Sequence, residues 1–219
     1  MANITSPFGF RQFRRAEGGA PTAGFETLTI MSSDASVIFT GDPVADLTSP
    51  SQGFGNYVTG TTAGNSQIRG IFMGCEYYLA AVNRKVWSPY FPGSVATTSG
   101  TGDIQAWVCT DPEMLWITQV SGTAGSTGSV LTSSYVNLNF GFSSASMFTG
   151  SYLGNTTTGI SNVTLNSTSF ATTATLPFRL IDFYSNWGPP GSNGTDNTTN
   201  GQFVIVGSNN WDRSNTTGV

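Results

Sequence analysis

Twelve carboxylates, two thiols and no histidine bound the chemistry open to this chain. Histidine is the commonest general base and metal ligand, so its absence removes the most frequent routes to proton transfer at neutral pH. Serine–histidine and cysteine–histidine nucleophile pairs are excluded, as are metal sites built from histidine or four cysteines. A pair of facing carboxylates, as in glycoside hydrolysis, is the enzymatic option that remains. It needs two carboxyl groups roughly 5 to 9.5 Å apart. Glu76, Asp103, Asp111 and Glu113 lie nearest to apolar strand patterns. Turn or solvent-face placement is the favoured reading of these carboxylates. Asp42 and Asp111 each precede a proline, where turn chemistry puts an aspartate. No catalytic, cofactor-binding or metal-binding residue is assigned, and no cofactor is implied. Cys75 and Cys109 sit in apolar segments and read as buried free thiols, although sequence does not fix pairing.

Aromatic and cationic side chains are the other carriers of recognition. Trp107 and Trp116 fall inside strand patterns and read as core, whereas Trp187 and Trp211 fall in loops. Trp87, Tyr90 and Phe91 flank a corner containing Pro89 and Pro92. Two prolines so close exclude a central strand, so the segment reads as an edge or exposed corner. These five aromatics, Trp87, Tyr90, Phe91, Trp187 and Trp211, are candidate subunit or surface contacts, because aromatics are enriched at interfaces. Cations are scarce: seven arginines and Lys85, with a net charge of −4. That is too few to track a nucleic-acid backbone. Three of the arginines, Arg11, Arg14 and Arg15, cluster near the N-terminus beside Phe8 and Phe10. In a flexible segment such a cluster suits pairing with carboxylates on a neighbouring protein.

The elements that must position these residues are strands. Only 9% of residues are charged, against about 25% in an ordinary domain. Thr, Ser, Asn and Gly replace the missing charges, alongside branched and aromatic residues that suit a pleated surface. No run of about 18 apolar residues is present, so no helix is expected to cross a bilayer. Residues 1–24, rich in Gly and Pro and without alternation, read as an extended arm. Residues 25–219 read as an antiparallel β-sandwich or barrel, jelly-roll-like, with a division near 121–129 left open. Short strand patterns recur at Phe25–Ile30, Ile104–Cys109, Leu115–Val120, Tyr135–Phe140, 176–183 and 202–206. The pair around Asp111-Pro112-Glu113 reads as a hairpin. Asn-X-Ser/Thr recurs at seven sites, from Asn3 to Asn215, but the N-terminus lacks the basic and apolar regions of a secretory signal. Synthesis in a reducing cytoplasm is therefore expected, and chance explains the sequons.

Several segments, taken in order, resemble the capsid decoration or cement proteins of tailed phages. The opening Pro7-Phe8-Gly9-Phe10-Arg11 with Arg15 and Gly18-Gly19-Ala20-Pro21 is similar to that family's N-terminal signature. Ile38 to Val44, Gly70 to Tyr77, Trp87 to Ser94, Asp111 to Trp116 and Phe178 to Ile181 resemble later blocks. The resemblance implies a β-rich, often trimeric subunit on the outer surface of a virion, made in the host bacterium. It would bind the major capsid protein and brace the shell, with Phe8, Phe10, Arg11, Arg14 and Arg15 as the capsid-binding arm. The alternative is a phage surface or fibre-type protein that holds host glycan through its loop aromatics.

Overall fold

The computed structural model describes residues 7–21, 24–31, 34, 36–46, 58–60, 68–79, 84–93, 104–121, 130–143, 154–184 and 202–209. Among them the regular elements are strands and one 3-10 turn. In chain order the strands of the first half are β1 (Arg11–Arg15), β2 (Phe25–Ile30), β3 (Ile38–Phe39), β4 (Pro43–Asp46), β5 (Val58–Gly60), β6 (Gly70–Leu79), β7 (Arg84–Ser88) and β8 (Tyr90–Phe91). The second half supplies β9 (Ile104–Cys109), β10 (Met114–Ser121), β11 (Asn139–Phe142), β12 (Gly154–Asn155), β13 (Ile160–Ser161), β14 (Leu165–Ala171), β15 (Phe178–Phe183) and β16 (Phe203–Ser208).

Two bodies of sheet result, and the all-β expectation holds. Strands β10, β14, β11, β15 and β16 close into a five-stranded barrel, because β16 returns to pair with β10. The pairings are antiparallel except β10 with β14, a short parallel contact through Val120 and Leu165. The second body is a curled sheet in the order β2-β9-β6-β4-β5, with β7 beside β6. Bulges tighten both. One falls at Met73, between the registered residues Phe72 and Gly74, where Gly74 has φ of 144°.

Alternation explains the two cores. On β9, Ile104, Ala106 and Val108 face Leu28, Ile30, Phe72, Cys75 and Phe91 inside the curled sheet. On β10, Met114, Trp116 and Val120 face Phe140, Phe142, Phe178, Leu180, Val204 and Val206 inside the barrel. The indole N–H of Trp116 donates to Ser208 Oγ at 3.2 Å, so the largest core side chain is also satisfied. The chain turns where expected, with Asp111 Oδ1 accepting the Glu113 N–H, but β9 and β10 do not pair, so the expected hairpin is instead a corner between two sheets. Sheet membership changes there, between Cys109 and Met114, and segment 122–129 lies outside the described residues. Ile68 and Ile71 join the barrel's core cluster, so the two cores meet.

Two expectations are corrected. The segment read as an arm contains β1, which runs antiparallel along β10, and Phe10 is 1% exposed inside the barrel core. A bulge between Gln12 and Arg14 breaks the period of two, which is why no alternation shows in the sequence. The clean alternation of Tyr135–Phe140 gives only the strand from Asn139. A 3-10 turn occupies Ser133–Tyr135, and Asn137 takes φ of 71°, a left-handed conformation that asparagine tolerates.

Candidate functional site

The residues assigned to capsid binding separate into three roles. Phe10 is structural: its N–H donates to the Gly41 carbonyl at 3.0 Å and its ring stacks on Phe178 at 4.1 Å. Gly9 makes this seating feasible. Its φ is +74°, and a Cβ there would lie 2.7 Å from Ser161 Cβ. Arg15 is held within the chain by Asp111 at 3.2 Å and Glu17 at 3.6 Å. Arg11 and Arg14 stand outside. They pair in register with Ile117 and Leu115, whose neighbours Met114 and Trp116 point into the barrel. Residues opposite one another across paired strands share a face, so both arginines lie on the outer surface. Neither makes an ion pair with a carboxylate among the described residues. Each guanidinium instead lies over a ring, Arg11 on Phe8 at 5.4 Å and Arg14 on Phe13 at 5.5 Å. Phe8 stacks in turn on Phe203 at 5.8 Å, and Phe13 meets Tyr184 edge-on.

A groove of about 600 Å³ opens beside Arg11, lined among the described residues by Pro7, Phe8, Ile117, Asn155, Thr158 and Asn162. The β12–β13 hairpin forms its far wall. Asn155 Oδ1 accepts the N–H groups of Thr157 and Thr158, which fixes the turn. Arg11 and the amide and hydroxyl side chains give the groove hydrogen-bonding capacity, while Phe8 and Ile117 give it apolar surface. Such a lining suits binding.

Beneath the groove sits a junction that the sequence did not announce. Asp42 is 4% exposed; its Oδ2 accepts the Phe39 N–H at 2.7 Å and its Oδ1 accepts the Ser161 hydroxyl at 2.5 Å. Burial pushes the Asp42 carboxyl up from 3.8 to about 7, against the opposing pull of those two donors. The Asp42 carbonyl accepts the Phe72 N–H, and the Gly41 N–H donates to the Phe72 carbonyl. Thr40 bridges onward, donating its N–H to Pro89 and Gly159 carbonyls and accepting the Ser161 N–H. Asp42-Pro43 was legible as a turn. Its partner Ser161 lies 119 positions away, beyond the reach of local pattern.

The corner aromatics also divide. Trp87 is 60% exposed on β7, as a surface contact should be. Phe91 is fully buried in the curled-sheet core, and Tyr90 stacks on Phe39 at 5.4 Å. The prolines do keep this segment out of a central strand, but the Pro89 carbonyl serves the Thr40 junction, so the chain turns inward. Trp187, Trp211 and the loop 188–201 lie outside the described residues, as does Asp103. Of the remaining carboxylates, Glu76 pairs with Lys85 at 3.3 Å on the curled sheet. Asp111 and Glu113 share the β9–β10 turn, so they do not face Glu76 across a cleft. Cys75 and Cys109 are buried and free. They lie on adjacent strands but out of register, Cys75 opposite Ala106 and Cys109 opposite Ile71. Desolvation raises both thiols, Cys75 to about 12. Trp116 is core as expected, and Trp107 is half-buried on the outer side of β9.

No family model, curated protein or solved structure matches the chain. The site must therefore be read from its own residues. Those residues come from blocks far apart in sequence: 7–11, 38–44, 70–77 and 87–91 all meet at the Thr40–Asp42 turn.

Proposed function

We propose that this chain is a non-catalytic structural protein of a tailed-phage particle. It sits on the outside of the shell and bridges neighbouring subunits of the major capsid protein. The observation that carries this reading is the pair Arg11 and Arg14, outward on a strand locked into the barrel and without an ion-paired carboxylate among the described residues. Held in place, such guanidiniums lose little further freedom on binding, and a fixed fork suits the carboxylates of a partner. The ordered resemblance of the blocks now meeting at Asp42 supplies the partner. Trp87, Phe25 and Phe170, 60%, 40% and 43% exposed, are large apolar groups suited to contacts in a symmetric oligomer, for which a trimer is favoured. Oligomerisation would multiply a weak single contact through effective concentration.

The test mixes purified protein with shells that lack it and measures co-sedimentation. Saturable binding at a fixed ratio to the capsid protein is expected, lost in the double variant Arg11→Glu/Arg14→Glu. A wild-type protein that stays in the supernatant would refute the assignment. A second reading, glycan binding, is favoured by the amide- and hydroxyl-lined groove beside Phe8. It predicts saccharide affinity that Asn162→Ala removes while shell binding persists.

A further inference from the structure

The groove at Phe8 has a narrower chemistry than its amide and hydroxyl groups alone would give it. Its far wall is pinned from behind. The Thr40 N–H donates to the Gly159 carbonyl at 3.0 Å, and the Ser161 N–H donates to the Thr40 carbonyl at 3.0 Å. Gly159, with φ of +70°, lies so close to Pro89 that a Cβ has no room there. Ser161 and Val163 are buried, whereas Asn162 between them is half-buried and lines the groove. On the near wall Arg11 lies opposite Ile117 on the barrel's outer face, and Phe8 stacks on Phe203. Both walls are set before any ligand arrives, which keeps the ordering cost of binding low.

Apart from Arg11, the polar lining among the described residues is neutral. Asn162 and Thr158 carry groups that both donate and accept, as sugar hydroxyls do. Asn155 uses its Oδ1 on the Thr157 and Thr158 N–H groups, which leaves its NH2 group to donate. Ile117, Ile160 and Pro7 give apolar surface suited to the C–H faces of a sugar ring. Arg11 makes no ion pair among the described residues, and no carboxylate is among the described residues that line the groove. Its guanidinium is braced over the Phe8 ring at 5.4 Å. One fork of this kind matches one carboxylate, whereas phosphate recognition gathers clusters of arginines. A nucleobase would need an open aromatic face. Phe8 is the one aromatic among the described lining residues, and it is already engaged by Phe203 and Arg11.

We infer that this groove binds a carboxylate-bearing saccharide, its acid group on Arg11 and its hydroxyls on Asn155, Thr158 and Asn162. Size agrees with this occupant. Pockets for whole small-molecule ligands run about 300–1,000 Å³, and the groove, at about 600 Å³, falls inside that range. The inference rests on the glycan reading of the groove and adds the charge of the ligand to it. It is tested without shells.

Titration calorimetry on the full chain uses three probes: digalacturonic acid, a glucuronate–N-acetylglucosamine disaccharide and sialyllactose. The carboxyl methyl ester of each is its neutral control. At least one acid is expected to bind saturably, about tenfold or more tighter than its own ester, as loss of one charge-assisted hydrogen bond implies. Arg11→Gln should remove the preference, so that acid and ester bind alike. Asn162→Ala should weaken acid and ester together, and Arg84→Gln, on the curled sheet, should change neither. Equal binding of acid and ester by the wild type would overturn this inference and leave the glycan reading standing. No binding of any acid or ester would overturn both. A preference that survives Arg11→Gln, or affinity untouched by Asn162→Ala, would put recognition elsewhere and overturn the assignment.

Discussion

Asp42 holds its carboxyl where ionisation is costly, and that has a consequence for stability. Its folded value is about 7 and its ordinary value 3.8, so between those limits the folded chain keeps a proton that the unfolded chain has lost. The stabilisation is complete below pH about 4 and is lost as pH rises through about 7, a difference of up to about 4 kcal/mol. Asp42→Asn removes the titration yet retains an acceptor for the Phe39 N–H and gains a donor for Ser161 Oγ. Denaturant unfolding across this window should therefore show wild-type stability falling with pH and a flatter profile in the variant; equal slopes would place the proton elsewhere. A second residue-scale outcome concerns Thr118, which is fully buried on β10 with a hydroxyl that has no hydrogen-bond partner among the described residues. An unmade bond of this kind costs about 1–3 kcal/mol, so Thr118→Val should raise stability by about 1 kcal/mol, read from the denaturation midpoint. Neither residue was distinguishable from its neighbours in sequence. Asp42 looked like any aspartate before a proline, and Thr118 like any threonine in a strand.

At the scale of elements, β1 decides how the basic cluster can act. Because Phe10 lies against Phe178 and β1 is paired with β10, removing the first 24 residues would take a strand and a core side chain from the barrel rather than trim an appendage. Phe10→Ala alone should cost about 3–5 kcal/mol, checked by denaturant unfolding. The charge-reversing pair Arg11→Glu/Arg14→Glu touches only the outer face and should change stability far less. That contrast separates loss of shell binding from loss of fold. The elements also show what was legible. β2 alternates, while β9, β10, β15 and β16 are short apolar-rich runs bounded by turn residues, and the structure places strands where those patterns fall. β1 was hidden by its bulge. β14 was faint because Asn166 and Ser167 are buried beside Leu165, and burial of polar residues depends on partners. Asn166 Oδ1, for example, accepts both the N–H and the hydroxyl of Thr168. The sequence places Arg11, Arg14 and Arg15 close together. The division of labour among Phe10, Arg15, Arg11 and Arg14 was not legible there, since it depends on which face of β10 each residue opposes.

The whole molecule is a barrel and a curled sheet joined in three ways, and the joints argue for one cooperative unit. The short β9–β10 turn passes directly from one body to the other. Ile68, Ile71 and the half-buried Met73 pack with the barrel core although β6 belongs to the curled sheet. At the Asp42 junction, the Gly41 carbonyl accepts the Phe10 N–H from the barrel side, while the Gly41 N–H donates to the Phe72 carbonyl and the Asp42 carbonyl accepts the Phe72 N–H on the other. Separating the bodies would expose Ile68 and Ile71 and strand a buried carboxylate from Ser161, so partial opening leaves little that is stable alone. Native-state hydrogen exchange should accordingly report the same opening free energy for the Phe72 amide, bonded to Asp42, and the Leu180 amide, bonded to Leu138 in the barrel region. Ser161→Ala should lower both values together. If Phe72 exchanged through a cheaper opening than Leu180, the curled sheet would be a separate folding unit. The junction would then position the groove without coupling the two bodies.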